Sequence, residues 1–320
     1  MTILVTGGAG FIGRSVVSQL VADGERVVVI VRDPDRATTI LGSDVDVRRG
    51  DLSLALTIAD AMRGCDGVIH CAGDYRVGIR EEDRPAMLDA NVGTTSRVMD
   101  AAVRAGVDRI VVTSTGNVFG NTHGVIADER YRRDLGEGFL TYYDETKFLA
   151  HRAATERITS GAPVIIAMPG TVYGPGDHSA LGAQLEAAYR GTAPYIVLGD
   201  VGISPTHVDD VAAGIIAALR RGRTGESYIL AGQNVRLRHA MAIAAGAGGH
   251  KPPRVSIPDA LVRLGARAPE SIATAVGFPP NLAEVAASAI GVTFWLSSAK
   301  AATELGYRSR DLATGIRTLG

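Results

Sequence analysis

A cluster of glycines near the start of the chain constrains the fold more than any other stretch. Residues 2–5 form a short β-branched and apolar run, and the glycines follow directly, before a pattern of apolar residues with helical spacing. A strand, a glycine turn and a helix in this order form a cradle for a diphosphate, because the glycines permit a tight turn, close approach of the backbone to the phosphates, and close packing of helix against strand. The helix N-terminus adds unpaired N–H groups and a partial positive charge. The residues predicted to bind the dinucleotide here are Gly7, Gly10, Phe11, Ile12 and Gly13.

The rest of the chain alternates strand-like and helix-like segments. Strands are predicted near residues 25–32, 44–49, 67–73, 109–114 and 163–168, with long helices over 84–105 and 141–159. This alternation predicts an α/β fold, a doubly wound parallel sheet of the Rossmann type that binds ligands at the carboxyl ends of its strands. We expect a dinucleotide-binding domain over residues 1–169. Residues 170–320, where Pro and Gly are frequent, are predicted to form a smaller substrate-binding lobe that returns some elements to the main sheet.

Composition and charge exclude several classes of protein. The chain has 320 residues, 46% hydrophobic and 21% charged, which is typical of a folded globular protein. Its formal net charge of −1 gives no general attraction for nucleic acid or an anionic membrane. The longest apolar runs, such as residues 211–219, are too short to cross a bilayer. We expect no signal peptide, because the first residues already form a strand and lack a basic leader, and therefore a cytoplasmic protein.

Metal and hydrolase motifs are absent from the sequence. The chain has two cysteines, Cys65 and Cys71, which we expect as reduced, buried thiols, with a disulfide as the alternative. Neither His-Glu-x-x-His nor clustered Cys/His spacing occurs, so no metal site is predicted. His70 is predicted to be a core histidine with its hydrogen bonds satisfied rather than a ligand.

The end of the second predicted strand indicates which dinucleotide is bound. About 20 residues after the glycines, an Asp or Glu normally receives the ribose 2′-hydroxyl of NAD. Arg32 stands at that place, and Arg36 lies four residues further. Guanidinium groups bind a 2′-phosphate through forked hydrogen bonds, whereas a carboxylate repels it. We therefore favour NADP(H); Asp33 keeps NAD(H) open, as does the alternative that both arginines are solvated loop charges. Asp51, after the third strand, is predicted to accept from the adenine amino group.

A tyrosine and a lysine four residues apart are the candidate catalytic pair. Tyr143 and Lys147 lie on one face of the predicted helix over 141–159. A free phenol titrates near ~10, and a nearby ammonium group together with an oxidised nicotinamide ring would lower that pKa. Such a phenol gives a proton to a carbonyl that is being reduced or takes one from an alcohol.

These motifs together resemble the extended short-chain dehydrogenase/reductase superfamily, the NAD(P)-dependent epimerase/dehydratase family. The resemblance covers essentially the full length, through residues 6–13, 50–52, 68–73, 91–94, 113–120, 143–147, 169–177 and 207–211. A finer likeness, over residues 74–76, 207–214, 228–232 and 296–307, is to the dihydroflavonol-reductase-like branch, which includes proteins labelled hopanoid-associated sugar epimerases.

The resemblance implies roles for individual residues. Thr115 matches the hydroxyl that hydrogen-bonds the reacting oxygen beside Tyr143, and Lys147 matches the lysine that bridges the nicotinamide ribose. The helices near 84–105 and 141–159 resemble the pair that relatives use for dimerisation. Further cofactor-binding residues are expected at strand ends: Leu52, Cys71, Ala72, Gly73, Thr113, Pro169, Gly170 and Val172. The substrate-binding candidates are Asp74, Tyr75, Asn117, Phe119 and Tyr173, any of which could equally be structural.

Differences between this chain and the family motifs favour some reactions of the family over others. Sugar-nucleotide dehydratases carry an Asp-Glu pair after the catalytic threonine, and this chain has Gly116 and Asn117 there, which argues against elimination of water. Thr171 and Met168 replace an asparagine and an arginine that are frequent in sugar-nucleotide enzymes. The leading hypothesis is an NADPH-dependent reductase of a small or medium-sized, partly apolar ketone or aldehyde. The alternatives are a sugar epimerase that retains its nicotinamide, and a non-catalytic sensor that binds the dinucleotide.

Overall fold

Seven parallel strands form the centre of the computed structural model, which describes residues 1–275 and 279–319. The strands are β1 (Thr2–Thr6), β2 (Arg26–Val31), β3 (Asp46–Arg49), β4 (Gly67–His70), β5 (Arg109–Thr113), β6 (Val164–Pro169), β7 (Thr171–Tyr173), β8 (Gly202–Ile203), β9 (Pro205–His207), β10 (Ser227–Leu230) and β11 (Val235–Arg236). The order in the main sheet is β10-β6-β5-β4-β1-β2-β3. Strand order reverses between β1 and β4, which is where doubly wound sheets bind ligands. The predicted fold class is confirmed.

Helices cover both faces of this sheet. They are α1 (Phe11–Ala22), α2 (Pro34–Leu41), α3 (Ala55–Met62), α4 (Arg84–Leu88), α5 (Thr94–Arg104), α6 (Tyr142–Thr159), α7 (Ala180–Tyr189), α8 (Val208–Arg221), α9 (Leu237–Ala247), α10 (Asp259–Gly265), α11 (Glu270–Ala275), α12 (Leu282–Ala287), α13 (Ala299–Leu305) and α14 (Leu312–Ile316). Short 3₁₀ segments lie at Glu81–Asp83, Gly116–Phe119, Leu135–Glu137 and Arg317–Leu319. None of the helices in the described ranges is long and apolar enough to cross a membrane.

The strands are apolar without interruption because both of their faces are buried. In β1, Ile3 and Val5 pack with α1, α8 and α13, whereas Leu4 packs on the opposite face with α3, α5 and α6. Successive side chains of a strand point to opposite faces, so a strand covered on both sides has no polar alternation. This packing holds the carboxyl ends of the strands in fixed positions at the edge of the sheet where the site lies.

The predicted helix over 84–105 is not continuous. A π-helical segment, Asp89–Gly93, separates α4 from α5. It places the buried Asn91 amide between two other elements: its Nδ2 donates to Asp74 O at 3.0 Å and to Thr146 Oγ1 at 2.9 Å, and its Oδ1 accepts from Asp74 N at 2.8 Å. Single-turn π segments often occur at functional sites, and this one ties the loop after β4 to α6.

The long segment over residues 120–139 is bonded to the C-terminal part of the chain. Thr122 N donates to Thr293 O at 2.8 Å, and Ala127 forms an isolated bridge with Leu296. These backbone bonds anchor the segment along its first half.

The C-terminal part also returns to the main sheet. Strand β10 pairs with β6, from Ser227 beside Ile166 to Leu230 beside Pro169. Helices α7 and α9 enclose a separate core with β8 and β11, which contains Leu185, Ile203 and Met241. The boundary at residue 169 between two domains stays a prediction.

Candidate active site

The glycine turn packs directly on the end of β4. Gly7 has a φ of +70°, and a Cβ at this position would lie 2.6 Å from Ala72 N. A Cβ on Gly13 would lie 2.0 Å from Gly7 O, so only glycine lets α1 approach the turn this closely. Gly10 precedes α1 and provides no side chain to cap the first N–H groups of the helix. A diphosphate fits this cradle, because the backbone is bare and the N–H groups at a helix N-terminus attract an anion.

The end of β2 carries two exposed arginines. Asp33, the carboxylate that kept NAD(H) open, caps α2 by accepting from Arg36 N at 3.1 Å. Within the described ranges, neither the Arg32 nor the Arg36 guanidinium has a hydrogen-bond or ion-pair partner. Asp51 accepts from Ser53 N at 2.8 Å, and this bond, with the more distant Arg32 charge, lowers the pKa of its carboxyl. A cluster of this composition suits an adenosine ribose that carries a phosphate.

The three predicted catalytic residues come from two neighbouring elements. Thr115 follows β5, and α6 carries Tyr143 and Lys147 on one face. Lys147 Nζ donates to Thr113 O at 3.1 Å, at the end of the same strand. Thr115 Oγ1 accepts from Asn117 N at 3.2 Å, and its own hydrogen is directed to Asn117 Oδ1 at 3.5 Å, a long contact that a nearer acceptor can replace. The arrangement brings a phenol, a hydroxyl and an ammonium group to the carboxyl end of the sheet.

The pKa of the phenol differs from the expectation. Burial, reinforced by the neighbouring Tyr75 and Asp144, raises the pKa of Tyr143, and the Thr115 hydroxyl opposes this rise through a hydrogen bond. The prediction of a lowered pKa is therefore wrong for the chain by itself, because desolvation exceeds every favourable contribution of the protein. Burial also lowers the pKa of Lys147 to about 8. The phenol is consequently protonated at neutral pH, which is the state of a proton donor.

Strand ends β4, β5 and β6 line the space beside this group. Cys71 Sγ lies 3.4 Å from Thr113 Oγ1, and burial raises the pKa of the thiol to about 11, so it is a poor nucleophile. Cys71 and Cys65 are both free thiols, but each is partly exposed, whereas buried thiols were predicted. Gly170 approaches Ser204 so closely that a Cβ would lie 2.5 Å from its carbonyl oxygen. The remaining cofactor-binding candidates, Leu52, Ala72, Gly73, Pro169 and Val172, lie in or beside these strand-end segments or after β3.

Three of the five substrate candidates lie beside Tyr143 or Thr115. The Tyr75 ring meets the Tyr143 ring edge-on, with centroids 4.8 Å apart, and is 60% exposed. Asp74 forms an ion pair with Arg76, with oxygen and nitrogen 2.6 Å apart. Asn117 Nδ2 donates to Asp144 Oδ1 at 3.2 Å.

The other two candidates are core residues. Phe119 is 7% exposed and packs edge-on against Tyr131, and Tyr173 is 1% exposed and packs edge-on against His207. Both rings belong to hydrophobic clusters, which agrees with the structural alternative left open for them. We leave them out of the proposed site.

Two further residues near the site are His70, whose role was predicted, and Asp144, whose role was not. His70 is buried with both ring nitrogens bonded, to Thr6 Oγ1 at 2.7 Å and to Thr95 Oγ1 at 3.0 Å, which confirms the predicted core role. Sequence reasoning missed Asp144, a buried carboxylate directly after the catalytic tyrosine. The available signal was an acidic residue inside the Tyr-x-x-x-Lys motif.

Comparison with known proteins agrees with this geometry. The sequence profile of the NAD dependent epimerase/dehydratase family matches residues 3–231. A putative dihydroflavonol 4-reductase from Synechocystis sp. is 29% identical over 309 residues, which cover 94% of this chain and 88% of that protein. A 4-hydroxy-2-methyl-3-oxo-4-farnesyl-3,4-dihydroquinoline-1-oxide ketoreductase from Stigmatella aurantiaca is 29% identical over 97% of this chain and 92% of its own length.

A solved structure supports the same assignment. MoeE5 in complex with UDP-glucuronic acid and NAD superposes with a TM-score of 0.75 and 26% identity, over 99% of this chain and 97% of that one. The family match, the glycine cradle and the Thr115–Tyr143–Lys147 group therefore agree. The chain belongs to the NAD dependent epimerase/dehydratase family, and it is a nicotinamide-dependent enzyme of the extended short-chain dehydrogenase/reductase type.

Proposed function

We propose that this enzyme uses NADPH to reduce the carbonyl group of a small or medium-sized, partly apolar ketone or aldehyde. The observation that carries the proposal is the grouping of the Tyr143 phenol, the Lys147 ammonium group and the Thr115 hydroxyl at the end of β5. A phenol so placed can give its proton to a carbonyl oxygen, as reduction requires, and Lys147 together with a bound nicotinamide would oppose the effect of burial on its pKa. The similarity to a protein named as a ketoreductase supports the same chemistry.

The preference for NADPH rests on the end of β2. Arg32 and Arg36 are exposed there, and the nearby carboxylate of Asp33 is engaged in capping α2. Two guanidinium groups favour a 2′-phosphate, and the Asp33 carboxylate is directed to Arg36 N at the start of α2.

Each residue has a separate task in the proposed reaction. When bound, the reduced nicotinamide supplies a hydride to the carbonyl carbon. Tyr143 gives its phenolic proton to the carbonyl oxygen, while the Thr115 hydroxyl donates a hydrogen bond to the same oxygen and stabilises its developing charge. Lys147 holds the ribose and adds a positive charge near the phenolate that results. Tyr75, at the mouth of the site, offers an aromatic surface to the substrate.

The direct test is a binding and turnover experiment. NADPH and NADH are titrated into the purified protein, and a set of aromatic and aliphatic ketones and aldehydes is screened for loss of NADPH absorbance. We expect tighter binding of NADPH and steady oxidation of it by at least one carbonyl compound. Binding of NADH alone contradicts the cofactor preference, and binding of NADPH without any turnover contradicts the reduction.

A second function is favoured by one observation. The superposition on a protein complexed with UDP-glucuronic acid and NAD makes a nucleotide-sugar epimerase the next candidate. Such an enzyme oxidises and re-reduces one carbon and retains its nicotinamide. Purified protein that carries tightly bound NAD and shows no net turnover would favour it over the reductase.

We further propose a cytoplasmic homodimer with two lobes divided near residue 169. The segments over 84–105 and 141–159 are the proposed interface; Leu88 at the end of α4 and Val103 on α5 are 37% and 46% exposed. Light scattering coupled to size-exclusion chromatography measures the mass directly, and a mass of one chain contradicts the dimer.

A further inference from the structure

Asp144 is a buried carboxylate whose purpose the proposed reaction does not explain. It is 1% exposed and follows the catalytic tyrosine in the first turn of α6. Its Oδ1 accepts from Asn117 Nδ2 at 3.2 Å, whereas its Oδ2 is enclosed and has no hydrogen-bond partner in the described structure. Burying a carboxylate with one oxygen unsatisfied costs free energy, and a nonpolar side chain would fill the same space without that cost.

Two hydrogen bonds connect this carboxylate to the catalytic hydroxyl. Asn117 uses its side chain on Asp144 and its backbone N–H on Thr115 Oγ1, at 3.2 Å in each case. An ionised carboxylate can only accept, so it requires the NH₂ of Asn117 to face it and the amide oxygen to face the other way. That oxygen lies 3.5 Å from Thr115 Oγ1. The charge on Asp144 therefore fixes which end of the amide the catalytic hydroxyl meets.

These contacts connect two elements whose separation sets the distance between the Thr115 and Tyr143 hydroxyl groups. Thr115 belongs to the 3₁₀ turn Gly116–Phe119, which it caps, and Tyr143 belongs to α6. We propose that Asp144 is a positioning residue: through Asn117 it holds the turn that carries the Thr115 hydroxyl in place against the helix that carries the Tyr143 phenol. The inference deepens the proposed function and rests on it, since it concerns the geometry of the same two oxygens.

The surroundings of Asp144 make this linkage sensitive to pH. Burial raises the pKa of its carboxyl to about 6, Arg133 from the 120–139 segment opposes the rise, and Glu284 from α12 adds to it. Tyr143 on its own helix and Tyr75 on the loop after β4 are the other titratable groups whose pKa values respond to its charge. A protonated Asp144 makes only a neutral hydrogen bond to Asn117, roughly half as strong as the charge-assisted one, and permits the amide to reverse.

The test compares Asp144→Asn with a matched control, Glu145→Gln, which removes the neighbouring carboxylate of α6. Turnover of a carbonyl compound found in the NADPH screen is measured between pH 5 and 9. For the wild type we expect kcat to fall as pH decreases through about 6. Asp144→Asn should lower kcat about tenfold at pH 7.5, since small displacements of reacting groups cost about this much or more. It should also abolish the fall near pH 6 and leave the Kd for NADPH unchanged. Glu145→Gln should behave as wild type.

Asn117→Ala provides the second variant and a readout without turnover. The ¹³C carboxyl resonance of Asp144, identified by its loss in Asp144→Asn, reports the pKa directly. Removing the Asn117 donor should raise that pKa, and the double variant should be no slower than Asn117→Ala alone. A fall near pH 6 that persists in Asp144→Asn overturns the proposal, as does an unchanged Asp144 pKa in Asn117→Ala. If no carbonyl compound is reduced, the proposed function fails, while the carboxyl titration still decides the Asp144–Asn117 linkage.

Discussion

The chemistry proposed for this protein depends most on one partly buried phenol, that of Tyr143. Replacing it with phenylalanine removes the proton donor and keeps the ring that packs against Tyr75. We expect Tyr143→Phe to lower kcat for carbonyl reduction roughly 10²- to 10⁴-fold, the usual contribution of a positioned general acid. NADPH binding, measured by fluorescence, should change little. Full activity in this variant would show that Tyr143 is not the proton donor.

Arg32 allows a second prediction at the scale of one side chain. A charge-assisted hydrogen bond contributes about 1.5–3 kcal/mol, so Arg32→Gln should weaken NADPH binding about 10- to 100-fold. NADH, which lacks the 2′-phosphate, should bind as before. Arg26→Gln is the matched control, because Arg26 lies at the opposite end of the same strand, β2. Equal losses for NADPH and NADH in a calorimetric titration would show that Arg32 does not contact the phosphate.

Single residues also show which features of the site could be predicted from the sequence and which could not. Tyr143 and Lys147 could be predicted because a four-residue spacing shares a helix face, whereas Thr115 was predicted from the resemblance to the family. The raised pKa of Tyr143 could not, since it depends on desolvation by neighbours distant in sequence. Whether Phe119 faces the site or the core could not be predicted either, because tertiary packing sets the direction of a side chain near a strand end.

At the scale of elements, the π segment Asp89–Gly93 connects the loop after β4 to α6, the helix that carries Tyr143 and Lys147. Helical periodicity over 84–105 predicted one uninterrupted helix, because a π segment keeps nearly the same apolar pattern and its signal is a hydrogen-bond shift of one residue. The element order and the sheet, by contrast, follow from the alternation of apolar runs and glycine turns. The apolar pattern does not predict which residues of one helix contact the neighbouring helices.

Asn91 tests this role of the π segment. Its buried side chain makes three hydrogen bonds to Asp74 and Thr146, and Asn91→Ala leaves their polar groups unsatisfied. We expect the free energy of unfolding to fall by about 2–4 kcal/mol, since each buried unsatisfied group costs about 1–3 kcal/mol. Urea denaturation measures the loss. A decrease of less than about 1 kcal/mol would mean that the segment is not held by this amide.

For the whole molecule, two histidines, His70 in the core and the half-buried His151, make stability depend on pH. Burial lowers the pKa of His70 to about 3 and that of His151 to about 4, and Ser114 Oγ lies 3.0 Å from His151 Nδ1. Both rings are neutral in the folded chain, whereas an unfolded chain protonates them near pH 6.5. Between about pH 6.5 and 4 the unfolded state therefore binds more protons, and the free energy of unfolding falls as pH falls, by up to about 1.4 kcal/mol per pH unit for each histidine.

Asp144 acts in the opposite direction, and this decides how the prediction must be tested. Its pKa is raised in the folded chain, so over part of the same range the folded state binds the extra proton and gains stability as pH falls. The free energy of unfolding of the wild type therefore changes with pH as the sum of contributions of opposite sign. Only the difference between a variant and the wild type gives the contribution of one histidine. His151→Gln should flatten the loss of stability between pH 6.5 and 4, while His239→Gln, at an exposed position of α9, should leave it unchanged. Urea denaturation at several pH values gives both slopes, and identical slopes for His151→Gln and the wild type would mean that the ring is already protonated in the folded protein or is solvated there.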